Sequence, residues 1–156
     1  MIIGLHHPAI STPDLERALD FYCAQLGGSL VRTGEIPAGN AELARRLGLA
    51  DCDAKTAIVQ VGAAFIEFIE FATPPSKQAE RARPVNEFGI THLCFSVRNI
   101  LLEYARLLES GVRFHAPPMK MPSGAIFTYG RDPDGNVFEL IEIPDGSTFP
   151  TVVAPS

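Results

Sequence analysis

The residues whose types and spacing could do chemistry in this sequence are His7, Glu67, His92 and Glu139, and they come in pairs. In the stretch RDPDGNVFELIEI (131–143), Glu139 and Glu142 repeat the Glu67 and Glu70 of FIEFIEF (65–71) at an offset of 72 residues, with Ile141 falling on Ile69. A second offset, 85 residues, places His7 on His92, Ala9 on Cys94 and Ser11 on Ser96. Two imidazoles and two carboxylates suit a divalent ion such as Zn, Ni, Co, Mn or Fe(II), with water in the remaining positions. Such an ion acts as a Lewis acid on a bound carbonyl. Taken singly, each residue has a plainer reading. A strand histidine is more often a half-buried hydrogen-bonding group, His6 competes directly with His7, and a lone strand glutamate usually belongs to a solvated face. The recurrence of all four in register is what points to a metal.

The elements that must position them follow from periodicity. Side chains on a strand alternate between faces, so Glu139 and Glu142 point opposite ways, and one carboxylate of each pair faces a packed side where it needs a cation or hydrogen bonds. In the first half, strands are expected over 2–11, 29–36, 55–61 and 64–71. A helix capped by Asp14 carries Leu15, Leu19, Tyr22 and Leu26 at helical spacing, and a short helix over 40–49 is capped by Asn40. The second half is expected to repeat this β-α-β-β-β order. Its strands fall over 89–97, near Phe114 or Met119, over 125–130 and over 137–143, and its helix runs from the Asn99 cap to Ser110. The fold class is therefore α+β, two tandem βαβββ modules within a single domain spanning 1–156. Module one covers 1–71, a proline-containing linker 72–88, module two 89–144, and a tail 145–156.

A chain of 156 residues with 46% hydrophobic content supports one substantial core. The net charge of −5, without a long basic run, argues against nucleic acid and anionic membrane surfaces as partners. The opening MIIGLHHPAI lacks a basic n-region, no apolar run approaches the roughly 20 residues of a spanning helix, and three widely spaced cysteines form no disulfide framework. A cytoplasmic protein that meets small molecules is expected. Among weaker candidates, Tyr129 and Arg131 could line a cavity. His115 falls in a proline-rich loop, Cys94 has no basic neighbour to make it a thiolate, and Asp51 and Asp53 read as loop residues.

The stretches LHHPAISTPDLERALDFY, GITHLCFSV and YGRDPDGNVFELIE resemble the vicinal oxygen chelate superfamily, which includes glyoxalase I, methylmalonyl-CoA epimerase, extradiol dioxygenases and fosfomycin and bleomycin resistance proteins. The resemblance covers Ile3 to Pro144. It implies a curved, open mixed sheet around a metal cavity, with His7, Glu67, His92 and Glu139 as ligands and Glu67 or Glu139 also moving a proton. An acid in the first module resembles the glyoxalase and epimerase branch, so the expected activity is that of a divalent-metal lyase or isomerase. An Fe(II) ring-cleaving dioxygenase using His7, His92 and Glu139, or a metal-free binding or resistance protein, are the alternatives. The resemblance also implies a homodimer.

Overall fold

A computed structural model of the chain describes residues 1–77 and 83–151, so part of the expected linker and the end of the expected tail lie outside the described residues. The fold comprises two compact units, Met1–Glu80 and Arg81–Ser156. Both are mixtures of helix and sheet, and the described residues form two mixed sheets, neither of them a closed barrel.

In the first unit, β1 (Ala9–Ser11) leads to α1 (Leu15–Leu19), which continues as a π-helical turn over Asp20–Gln25. Strands β2 (Ser29–Ile36), β3 (Asp53–Val61) and β4 (Ala64–Thr73) follow, with α2 (Ala41–Arg46) between β2 and β3. The sheet order is β1-β4-β3-β2, with β1 parallel to β4 and the other neighbours antiparallel. Phe21 and Tyr22 of the helix and Val59, Ile66 and Phe68 of the sheet are all buried, with the Tyr22 and Phe68 rings 4.6 Å apart. A smaller cluster of Ala44, Cys52 and Ala54 seats α2 on Ile36, Ile69 and Phe71.

The second unit repeats the plan. Its elements are β5 (Leu93–Ser96), α3 (Ile100–Glu109), β6 (Arg113–Phe114), β7 (Met119–Lys120), β8 (Ile126–Arg131) and β9 (Val137–Glu142). The order is β5-β9-β8-β6, and β7 also pairs with β8. Where the first unit has the continuous β2, Pro117 and Pro118 split the corresponding strand into β6 and β7, because proline has no N–H for a ladder. Strands near both Phe114 and Met119 thus exist.

Both opening strands are shorter than alternation predicts. The parallel register pairs Ala9 with Glu67 and Leu93 with Phe138. Carried back along each ladder, it sets His6 opposite Ala64, the first residue of β4, and His92 opposite Val137, the first of β9. Residues before those histidines run past the end of the partner strand, and Ile2, Ile3 and Leu5 are accordingly exposed.

The odd spacing of the glutamates has a structural use. Glu70 accepts the backbone N–H of Leu15 at 2.7 Å, while Glu142 accepts those of Asn99 at 3.0 Å and Ile100 at 2.9 Å. Each caps the first turn of its unit's helix, where an anion also meets the positive end of the helix dipole. Asp14 and Asn99 add side-chain caps to Arg17 and Leu102. Replacing Glu142 by alanine is therefore expected to lower stability by about 1–2 kcal/mol. Urea unfolding should show this as a lower midpoint with unchanged slope; an unchanged midpoint would show that the cap contributes nothing.

Candidate metal and proton-transfer site

The helix-capping glutamates lie on one face of their strands, and Glu67 and Glu139 are left on the other. In the first unit His7 lies two residues before β1, and the β4 ladder extends to the intervening Pro8 through the bond from Glu67 N–H to the Pro8 carbonyl, 3.0 Å. His7 Nε2 then stands 3.3 Å from Glu67 Oε2. His6 takes another course. Its ring stacks on Phe65 at 5.6 Å, and its Nδ1 meets His7 Nδ1 at 2.7 Å, so of the two histidines it is His7 that faces the carboxylate.

In the second unit His92 Nε2 stands 3.0 Å from Glu139 Oε2. The other ring nitrogen, Nδ1, is 2.8 Å from the Thr91 hydroxyl, which fixes the ring and leaves Nε2 directed at the carboxylate. Glu139 is buried between Val137 and Ile141, and a carboxylate there requires compensation. Tyr129, its register partner across the β8–β9 ladder, supplies a hydroxyl hydrogen bond, and Cys94, its register partner on β5, supplies a thiol. The Tyr129 ring also sets its edge against His92 at 5.2 Å.

These contacts determine what the neighbours can do. Partial burial, then the charge and hydrogen bond of Glu139, push the Cys94 thiol up to about 12. It is a neutral donor at physiological pH, not a nucleophile. The Tyr129 hydroxyl is likewise raised, by burial first and by Glu139 second. Arg131 serves the fold, donating to the Gly135 carbonyl at 2.6 Å and to the Arg83 carbonyl at 3.3 Å. Asp51 accepts from the Cys52 backbone N–H at 2.8 Å, and His115 is exposed.

The structure thus brings the four sequence-derived residues together as two pairs, His7 with Glu67 and His92 with Glu139. Among the described residues, no three or more His, Cys, Asp or Glu side chains are gathered within reach of one ion. The pair geometry fits a metal nonetheless. Two donor atoms bound to one ion at ~2.1 Å stand about 3.0 Å apart at an octahedral right angle and about 3.4 Å apart at a tetrahedral angle. The observed separations of 3.0 and 3.3 Å fall within that range.

Residues 4–140 match the family model of the Glyoxalase/Bleomycin resistance protein/Dioxygenase superfamily. The chain belongs to this superfamily. A 2-epi-5-epi-valiolone epimerase from an Actinomyces species is 30% identical over 129 residues, 80% of this chain and 68% of the relative. Among solved structures, a glyoxalase family protein from Bacillus cereus superposes with a TM-score of 0.81 at 23% identity, over 91% of this chain and 95% of that one. The fosfomycin resistance protein FosX from Listeria monocytogenes, complexed with Mn(II) and sulfate, superposes at 0.62 with 17% identity, over 94% and 98% of the two chains. The superfamily includes enzymes and members that hold divalent metals. No described helix of this chain is long and apolar enough to cross a membrane.

Tyr129 was undervalued in the sequence because a tyrosine near a strand end has many structural uses. The signal that could have found it is its position in the hairpin, across the closing turn from Glu139 on the same sheet face.

Proposed function

We propose that the protein is a divalent-metal-dependent lyase or isomerase of the glyoxalase and epimerase type, acting on a small molecule by proton transfer next to a carbonyl. The observation that carries this reading is the His–Glu pair repeated at the same register in both units, 3.3 Å in one and 3.0 Å in the other. His7, Glu67, His92 and Glu139 would hold the ion. A four-ligand set would need one pair from each unit, from one chain or from the two chains of a homodimer. The epimerase relative and the Mn(II) complex of FosX support the reading.

Bound there, the cation would supply Lewis acidity to a carbonyl oxygen of the substrate. The protein's own groups do the rest. Thr91 at Nδ1 and the edge of the Tyr129 ring hold the His92 ring so that Nε2 is the nitrogen available to the ion. A glutamate, Glu67 or Glu139, takes the proton from the carbon beside the carbonyl. The C–H bond breaks, an O–H bond forms on the carboxyl group, and the electron pair moves toward the carbonyl oxygen. Return of the proton to the opposite face inverts the centre, and return to the neighbouring carbon isomerises the substrate. Both outcomes are redox-neutral.

The test is exchange with solvent deuterium. Protein supplied with Mn(II), Ni(II), Co(II) or Zn(II) is incubated in D2O with 2-oxoaldehyde hemithioacetals, polyhydroxylated cyclic ketones and branched acyl-CoA thioesters. NMR is expected to show metal-dependent loss of a C–H signal beside the carbonyl in one of these classes. Oxygen uptake with a catechol, abolished by iron removal, would replace this reading with ring-cleaving dioxygenation. Tight ligand binding without turnover or metal dependence would replace it with a binding protein.

A further inference from the structure

We propose that Arg32 on β2 is a specificity-determining residue that holds an oxyanion, carboxylate or phosphate, on the same molecule whose carbonyl lies at the His7–Glu67 pair. The substrate class is then an acidic ketone or aldehyde and not a neutral one. This assignment rests on the function proposed above and uses groups of the first unit alone.

The sheet register places the arginine. Ala9 pairs with Glu67, Glu67 with Ile58 and Ile58 with Arg32, so the four form one row across β1, β4, β3 and β2. Residues directly opposite one another in a ladder share a face, which puts Arg32 on the face of Glu67. Two strand spacings of about 4.8 Å separate them, roughly 10 Å along the row. A β-bulge creates this placement. Leu30 pairs with Val59 and Arg32 with Ile58, which leaves Val31 as the extra residue. Unbroken pairing from Leu30 would set Arg32 opposite Ala57, on the face where Ala57 and its partner Phe68 are buried. The bulge turns it to the other face.

The next row leaves room beside the guanidinium. It runs Ser11, Ile69, Thr56, Gly34. A Cβ at Gly34 would lie 2.9 Å from Thr56 Oγ1, so the missing side chain keeps that hydroxyl uncovered. Beyond this row the cluster of Ala44, Cys52 and Ala54 packs on Ile36 and Phe71, and α2 closes that end of the face. Among the described residues, neither Arg32 nor Thr56 has a hydrogen-bond or ion-pair partner. Glu35 and Lys55 lie in the row of Glu70, on the opposite, helix-capping side. Arg32 therefore meets no acid on its own two rows except Glu67, which His7 already faces at 3.3 Å. A guanidinium fork with unused donors matches a carboxylate or a phosphate, and the Thr56 hydroxyl adds one more donor. An anion held there lays the carbon chain of the substrate over Ile58 toward the His7–Glu67 pair, which orients the reacting carbon.

Two matched pairs of small ketones test this on full-length protein by ligand-observed NMR. One is 4-oxopentanoate with its neutral amide, the other dihydroxyacetone phosphate with dihydroxyacetone. Wild type is expected to bind at least one acid about 10-fold or more tightly than its neutral counterpart, the range for a charge-assisted hydrogen bond, with the preference shrinking as salt is added. The acid that is preferred identifies the anion as carboxylate or phosphate. It should also shift the Nε–Hε resonance of Arg32, which a purely structural arginine would not show. Arg32→Gln should bind acid and neutral ligand alike, and Arg32→Lys should keep part of the difference. Arg98→Gln removes one exposed charge from the second unit and should keep all of it. Neither acid outbinding its neutral counterpart, Arg32→Gln retaining the preference, or Arg98→Gln losing it equally would overturn the assignment. None of these readings needs a metal or turnover. Acid binding at Arg32 without deuterium exchange under any metal would therefore overturn the proposed function and leave the anion site standing.

Discussion

Replacing His92 by alanine should lower substrate turnover by at least about 100-fold and abolish tight metal binding, because losing a ligand costs more than the ~10–100-fold typical of losing a residue that only orients one. The ring is fixed from several sides, by Glu139 at 3.0 Å, Thr91 at 2.8 Å and the edge of Tyr129 at 5.2 Å. Its removal takes away a donor nitrogen and leaves the buried carboxylate of Glu139 short of a partner. Calorimetric metal titration and the deuterium-exchange assay should fall together. His115→Ala, a change at an exposed loop histidine, is the matched control and should alter neither. Equal losses in both variants would mean that the effect of His92→Ala is not one of ligation.

Phe138→Ala should destabilise the protein by about 3–5 kcal/mol, the range for truncating a buried aromatic that the core cannot refill. Phe138 is 1% exposed and packs edge-on against Phe114 at 5.7 Å, which in turn meets Tyr104 of α3 at 4.7 Å. Its ring also fills the space over Gly130, its register partner, where an added Cβ would lie 2.5 Å from the ring. The surrounding groups are a helix and the backbone of two strands, so collapse into the cavity is limited. Thermal unfolding should move down by roughly 6–20 °C, since each kcal/mol shifts a chain of this size by about 2–4 °C. A shift below about 3 °C would show that the second unit contributes little to the cooperative transition. The substitution also bears on the site, because Phe138 and Glu139 point to opposite faces of β9 and share its backbone.

Much of this arrangement was legible in the sequence because the chain states it twice. The offsets of 72 and 85 residues predicted that Glu67 and Glu139, and His7 and His92, occupy equivalent places, and the ladders pair Ala9 with Glu67 and Cys94 with Glu139 in matching register. Strand 29–36 and the caps Asn40 and Asn99 were readable from local pattern alone. The length of the first strand was not, since alternation reports amphipathicity but not whether a partner strand extends far enough to pair. The continuation of α1 into a π-helical turn was also hidden, because Leu15, Leu19, Tyr22 and Leu26 fit an ordinary helix equally well. Glu70 and Glu142 could be assigned a face but not a partner, as the helix ends they cap lie 55 and 42 residues or more away along the chain. Tyr129 escaped for a related reason. What distinguishes it is its neighbour across the hairpin, and register is a tertiary fact.

The central claim is that these two pairs hold a metal, and elemental analysis of untagged wild-type protein by mass spectrometry, after purification and again after adding back each divalent ion, tests it most directly. The account predicts roughly one ion per chain, as expected for a four-ligand set with water completing the shell, and near-complete loss in His92→Ala. Wild-type protein that retains no ion under any loading condition, or His92→Ala protein that retains as much as wild type, would contradict it.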